Sequence, residues 1–129
     1  MQVRKRILVV EDEGKIARLL AAELEEAGYD VHAEPLGAPA VEYAAQEHID
    51  GVILDLMLPD MDGYEVCKAL RHMPQYEHLP VLVLTALERP IHQLRGLAFG
   101  VSAYLTKPFR VREVVEAVQQ LLTEPEADS

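Results

Sequence analysis

The sequence is poor in cysteine and in basic residues, and it has no long apolar run. Cys67 is the single cysteine, so an internal disulfide is excluded and nothing indicates an oxidising compartment. The 12 lysines and arginines stand against 22 acids, and the net charge of −10 argues against a nucleic-acid surface, which needs a basic patch. The balance suits solubility, a divalent cation or a basic partner, although a solvated acidic surface accounts for most of the acids.

Signals for export and membrane insertion are also lacking. The basic residues in 1–6 precede a short apolar run, 7–10, that leads directly into acids, whereas a signal peptide needs a longer apolar segment and a membrane span needs about 20 residues. We therefore predict a cytoplasmic protein that does not enter a membrane. Its length is that of one domain, which we place over residues 1–122. The acidic residues 123–129 form a C-terminal tail or the start of a linker.

Strand-length apolar runs alternate with segments of helical spacing along the chain. Strands are predicted over residues 7–10, 29–33, 51–54, 81–84 and 103–105. Helices are predicted over residues 16–27 with Gly28 as the stop, from Pro39 to residue 45, over 63–73, from Pro90 to residue 97, and over 111–122. Five βα units of this kind predict an α/β fold, in which helices cover both faces of a doubly wound parallel sheet.

Several chemically active side chains follow the predicted strands, at the points where the strands end. These residues are Glu11, Asp12, Asp55, Thr85 and Lys107. A doubly wound sheet binds its ligands outside the carboxyl ends of its strands. Acids, a hydroxyl and an amine at one such edge predict a site for a hard cation and a phosphoryl group.

The acids of this predicted site need a positive partner. Two carboxylates ~4 Å apart repel by about 4 kcal/mol at an effective dielectric constant near 20. Lys107 supplies one positive charge and a divalent metal two, and carboxylate ligands favour Mg²⁺ or Mn²⁺. Asp55 held in this way can attack phosphorus and form an aspartyl phosphate. Acids at a helix start also complement the helix dipole, an explanation that we prefer for Glu13 and leave open for Glu11 and Asp12.

Four blocks of the sequence resemble the receiver domain of bacterial two-component response regulators. They are ILVVEDE at 7–13, LDLMLPDMDG at 54–63, LTA at 84–86 and YLTKPF at 104–109. Their order and spacing are similar to those of the family over almost the whole chain. The resemblance implies a flavodoxin-like fold of the chemotaxis-regulator type, with five strands in the order 2-1-3-4-5 and five helices.

The resemblance also implies how the site is divided between metal and phosphoryl group. Asp55 accepts the phosphoryl group from the phosphohistidine of a sensor histidine kinase or a phosphotransfer protein. Glu11, Asp12 and Asp55 hold Mg²⁺ (or Mn²⁺), and the Met57 backbone carbonyl is a further ligand. Lys107 contacts the phosphoryl oxygens. The module is then not an enzyme for other substrates, because it catalyses only its own phosphotransfer and autodephosphorylation.

The resemblance further implies a conformational switch formed by Thr85 and Tyr104. Thr85 also contacts the phosphoryl oxygens, and Tyr104 turns inward as Thr85 moves. The pair thereby alters the face formed by the helix from Pro90, the fifth strand and the final helix. The output partner or effector domain that reads this face is not identified by the sequence, and no direct binding of nucleic acid by this domain is expected.

Some positions depart from the family pattern. Glu11 stands where many members have aspartate, a substitution that should keep metal binding. Ser102, Ala103, Ala117 and Gln119 replace charged residues through which the DNA-binding winged-helix members dimerise. These departures favour a stand-alone, kinase-linked or cyclase-linked receiver.

Other functions remain open from the residues alone. The chain can be a receiver fragment of a larger regulator or hybrid kinase, or a docking domain that no longer cycles phosphate. A small-molecule aspartyl phosphatase of the haloacid-dehalogenase type needs an acid where Met57 stands. A flavodoxin-type cofactor binder would need a phosphate-binding loop after the first strand. The acids at 11–13 occupy that position and would repel the phosphate of the cofactor.

Away from the site, we predict that Cys67 and Phe99 pack inward and that the peptide bond before Pro108 is a candidate for the cis form.

Overall fold

The structure is a computed structural model that describes residues 4–86 and 98–123. Its strands are β1 (Arg6–Val10), β2 (Asp30–Glu34), β3 (Gly51–Asp55), β4 (Val81–Thr85) and β5 (Ala103–Thr106). Its helices are α1 (Gly14–Glu26), α2 (Gly37–Gln46), α3 (Gly63–Arg71) and α4 (Val111–Leu122), with a short 3-10 helix at Pro74–Tyr76. The helix predicted from Pro90 to residue 97 lies outside the described residues.

The strands form one parallel sheet in the order β2-β1-β3-β4-β5, which confirms the predicted doubly wound fold. From β1 the chain crosses to β2 on one side, and then returns to place β3 on the other side of β1. The strand order therefore reverses between β1 and β3. A crevice for ligands opens at such a reversal, outside the carboxyl ends of the two strands.

Alternate residues of the central strands feed two separate cores. On one face, Leu8, Val52 and Val83 pack with α2 and α3. On the other face, Ile53 and Leu82 pack with α1 and α4. Successive strand residues point to opposite sides, so strands buried on both sides must be apolar at almost every position. This burial leaves polar side chains to the ends of the strands, where the candidate site lies.

The boundaries of three helices differ from the prediction. Helix α1 spans Gly14–Glu26 rather than residues 16–27. Helix α2 begins at Gly37 rather than Pro39, because proline is tolerated in the first turn, where backbone amides have no partner within the helix. Helix α3 ends at Arg71 rather than at residue 73. Met73 has an extended backbone (φ −86°, ψ 123°), as expected for the residue before a proline, which disfavours helical geometry there.

The sequence spacing predicts that Ile16, Leu19, Leu20, Leu24 and Ala27 share the buried face of α1, and the structure differs from this prediction at Leu19 and Ala27, which are exposed. Leu20 and Leu24 are buried, and Gly28 ends the helix region with φ +107°, a left-handed value that glycine adopts without strain. Leu19, however, is 51% exposed, because Ala17 occupies the inward position on that turn. No helix among residues 4–86 and 98–123 is both long and apolar enough to cross a membrane.

Candidate functional site

Four strands deliver the predicted side chains to one edge of the sheet. Asp55 is the last residue of β3 and Thr85 the last of β4, whereas Glu11 and Lys107 directly follow β1 and β5. Glu11, Asp55 and Thr85 are buried, with relative exposures of 2%, 5% and 2%. Asp12 is exposed. The site is therefore built on the ends of rigid elements and opens to solvent beside Asp12.

Lys107 bridges two buried carboxylates. Its Nζ donates to Asp55 Oδ2 at 3.0 Å and to Glu11 Oε1 at 3.1 Å. Burial acts to lower the pKa of Lys107, but the hydrogen bonds and charges of Asp55 and Glu11 outweigh it and raise that pKa above its ordinary value. The ammonium therefore stays charged, and it links the ends of β1, β3 and β5.

The three acids lie close enough to share one ion. One carboxylate oxygen from each of Glu11, Asp12 and Asp55 lies within 4.8 Å of the others. Burial, together with a side-chain hydrogen bond to Asp55, raises the pKa of Glu11 to about 7. Lys107 supplies a single positive charge against these three carboxyl groups. An all-oxygen donor set with excess negative charge fits Mg²⁺ or Mn²⁺.

The loop after β3 orients Asp55. Its Oδ1 accepts a hydrogen bond from the Met57 backbone amide at 2.9 Å. Met57 also forms an antiparallel bridge with Asp62, whose side chain caps α3 by accepting from the Tyr64 amide at 2.8 Å. A Cβ on Gly63 would lie 2.6 Å from the Asp55 carbonyl oxygen, so only glycine allows α3 to start this close to the strand.

The two predicted switch residues lie on neighbouring strands. The Thr85 carbonyl accepts a hydrogen bond from the Lys107 amide at 2.8 Å, beside the acids. Tyr104 pairs with Val83 in the sheet register and packs, half-buried, on the core of α2 and α3. Its hydroxyl lies 2.9 Å from the hydroxyl of Tyr64. Tyr104 is thus placed on the α3 side of the sheet.

Two residues in this region escaped the sequence analysis. The Asp60 carboxylate, on the loop after β3, accepts hydrogen bonds from the amides of Gly37 and Ala38 at 2.8 and 2.9 Å. These bonds lower the Asp60 pKa and cap α2 from a distant part of the chain. Tyr64, buried in α3, is the partner of Tyr104. Neither contact has a local sequence signal, because both join segments that are remote in the chain.

The minor predictions for this region agree with the structure. Cys67 is fully buried, and its Sγ donates to the Phe99 carbonyl at 3.1 Å. Phe99 packs against the same core. The peptide bond between Lys107 and Pro108 is cis.

Sequence comparison finds relatives among transcriptional regulators. The chain is 44% identical over 124 residues to the alkaline phosphatase synthesis transcriptional regulatory protein PhoP of Bacillus subtilis, a match that covers 96% of this chain and 51% of that protein. It is 42% identical over 117 residues to the DNA-binding dual master transcriptional regulator RpaA of Synechocystis, covering 91% and 48%. The chain thus spans about half the length of these curated relatives.

Structural comparison finds receiver domains. The Vibrio cholerae chemotaxis response regulator CheY4 superposes with a TM-score of 0.88 at 32% identity, covering 93% of this chain and all of that chain. The BeF3-activated receiver domain of Klebsiella pneumoniae RstA gives a TM-score of 0.82 at 33% identity, with the same coverages. A family model, the response regulator receiver domain, matches residues 7–119. The chain therefore belongs to the family of response regulator receiver domains.

Proposed function

We propose that this receiver domain is a phosphorylation switch in which Asp55 accepts a phosphoryl group from the phosphohistidine of a sensor histidine kinase or phosphotransfer protein. The observation that carries the proposal is the placement of the Asp55 carboxylate. It stands at a strand end, hydrogen-bonded to Lys107 and to the Met57 amide, with two further carboxyl groups beside it. A merely structural ion pair would not need the surplus of acids.

The proposed reaction is a direct transfer between two nucleophiles. A carboxylate oxygen of Asp55 attacks phosphorus, the P–N bond to the kinase imidazole breaks, and its electron pair stays on the departing nitrogen. The Lys107 ammonium, which already contacts Asp55 Oδ2, binds the incoming phosphoryl oxygens. The Thr85 hydroxyl donates a hydrogen bond to another of them. Hydrolysis of the acyl phosphate restores the carboxylate and releases inorganic phosphate.

Glu11, Asp12 and Asp55, with the Met57 carbonyl, are the residues that would hold Mg²⁺ (or Mn²⁺). When bound, the ion supplies positive charge that neutralises the transferring group. The close carboxyl groups and the raised pKa of Glu11 support this assignment. Lys107 alone leaves the cluster with more negative than positive charge.

The output of the proposed switch is a change at the face that includes β5 and α4. Tyr104 lies on β5, next to the strand that ends in Thr85, so a shift of Thr85 can be passed to it. Four further statements remain predictions. They concern the partner or effector domain that reads this face, the preference for a receiver outside the winged-helix subfamily, the domain boundary at residue 122 and the cytoplasmic location. The net charge of −10 supports the view that this domain does not itself bind nucleic acid.

The test is an amide NMR titration of the whole chain with Mg²⁺ and beryllium fluoride, a mimic of the phosphoryl group. We expect shifts around Thr85 and Tyr104 in the wild type, and none in Asp55→Asn or Asp55→Ala. Asp30→Asn, an exposed acid at the opposite end of the sheet, should respond like the wild type. Equal responses in the wild type and the Asp55 variants, or no response in either, would overturn the proposal.

A further inference from the structure

Two tyrosine side chains meet at the edge of the sheet. The hydroxyl oxygens of Tyr64 and Tyr104 lie 2.9 Å apart, so one donates a hydrogen bond to the other across 40 residues of sequence. Tyr64 belongs to α3, and Tyr104 belongs to β5, an edge strand of the sheet. The bond therefore connects the proposed switch tyrosine to a helix that begins beside Asp55.

Tyr64 is the better anchored of the two. It is 1% exposed, follows the capped start of α3, and packs its ring against Phe99 at a centroid distance of 5.8 Å. Arg71, near the end of the same helix, donates to the carbonyls of Phe99 and Gly100 at 3.2 and 2.6 Å. Helix α3 and residues 99–100 thus hold the Tyr64 ring in place, whereas Tyr104 is only half-buried.

The geometry points to Tyr64 as a positioning residue of the switch, whose hydroxyl holds Tyr104 turned toward α3 before Asp55 is phosphorylated. This inference rests on the proposed function for the role of Tyr104. A hydrogen bond of ordinary net strength shifts such an equilibrium by about three- to tenfold. The unphosphorylated domain is then already biased toward the inward orientation, and phosphorylation has a smaller change left to make.

The test follows Tyr104 by ¹⁹F NMR in protein labelled with 3-fluorotyrosine. The chain has five tyrosines, and Tyr104→Phe identifies the Tyr104 signal by its loss. Tyr64→Phe keeps the buried ring and removes only the hydroxyl. Tyr76→Phe is the matched control, because the Tyr76 hydroxyl is also buried but bonds to the backbone of Ala44 and Ile49, away from Tyr104.

Without Mg²⁺ or beryllium fluoride, we expect the Tyr104 signal to move in Tyr64→Phe, and its broadening by a soluble gadolinium chelate to rise at least about twofold. It should stay unchanged in Tyr76→Phe. An unchanged Tyr104 signal in Tyr64→Phe overturns the inference. An equal change in Tyr64→Phe and Tyr76→Phe also overturns it, because it would reflect a general loss of core packing.

A double-mutant cycle on the unfolding equilibrium should give a Tyr64–Tyr104 coupling of about three- to tenfold in the equilibrium constant, and the absence of coupling would also overturn the inference.

Adding Mg²⁺ and beryllium fluoride separates this inference from the proposed function. If the wild-type Tyr104 signal does not respond, the phosphorylation switch fails, but the comparison of the two tyrosine variants still decides what Tyr64 does. If the signal responds and Tyr64→Phe does not alter its starting position, the switch stands and the role of Tyr64 is refuted.

Discussion

The Lys107 ammonium lies 3.0 Å from Oδ2 of Asp55, although the two residues are 52 positions apart in the chain. Removing the ammonium leaves buried carboxyl groups without their cation. We expect Lys107→Ala to lower the free energy of unfolding by about 1–3 kcal/mol at pH 8 without Mg²⁺, less than for a fully buried pair because Lys107 is partly exposed. Urea denaturation measures the loss. Lys68 is an exposed lysine of α3, and Lys68→Ala should change the free energy of unfolding by less than about 0.5 kcal/mol. Equal losses in Lys107→Ala and Lys68→Ala would contradict the prediction.

The raised pKa of Glu11 predicts a pH dependence of stability in the metal-free protein. Its folded value is about 7, against an ordinary value of 4.5. Between these values the folded state binds more protons, so this residue makes the free energy of unfolding fall as pH rises from 4.5 to 7. Glu11→Gln cannot titrate, and its stability relative to the wild type should therefore increase across that window.

Urea denaturation at several pH values with a chelator present gives the comparison between the wild type and Glu11→Gln. Glu26→Gln, an exposed glutamate at the end of α1, should run parallel to the wild type. If the pH dependence of Glu11→Gln also runs parallel to that of the wild type, the pKa of the Glu11 carboxyl group is not raised and the prediction is wrong.

The acid cluster predicts stabilisation by Mg²⁺. Above the dissociation constant, each tenfold rise in Mg²⁺ should add about 1.4 kcal/mol to the free energy of unfolding, and a chelator should reverse it. Asp12→Asn removes an exposed carboxylate of the cluster and should lose most of this gain, whereas Asp30→Asn should retain it. Thermal unfolding across a Mg²⁺ series tests the difference, and an equal response in both variants would place the ion elsewhere.

The close approach at Gly63 predicts a strong effect of a single methyl group. In Gly63→Ala the new Cβ would lie 2.6 Å from the Asp55 carbonyl oxygen and 2.7 Å from the Leu56 Cα, so the backbone must shift. We expect a loss of about 1–3 kcal/mol in stability, as for other overpacked sites, together with weaker phosphorylation by a small phosphoryl donor.

Gly14→Ala is the control for that substitution, because its Cβ meets only the flexible side chain of Arg18, at 3.2 Å. It should be neutral or slightly stabilising, since alanine favours a helix more than glycine does. Similar effects of the two substitutions would contradict the packing argument.

The strands and the position of the site could be predicted from the sequence because each depends on a short local pattern of residues. Apolar runs gave the strands, and the parallel arrangement then placed Asp55 and Lys107 at one edge. The strand order came from the family resemblance. The Asp60 cap on α2 and the Tyr64–Tyr104 bond were not accessible, because polar side chains that meet across the fold leave no periodic pattern. The start of α2 was misplaced by two residues, since proline fits several positions of a first turn.

Arg71 has one further effect on the architecture. Besides Phe99 and Gly100, its guanidinium donates to the carbonyl of Tyr76 at 2.9 Å. One side chain of α3 therefore contacts both the residue that ends the 3-10 helix before β4 and the two residues that come shortly before β5. The strands that carry Thr85 and Tyr104 are thus each preceded by a segment that is anchored to α3 without a covalent crosslink.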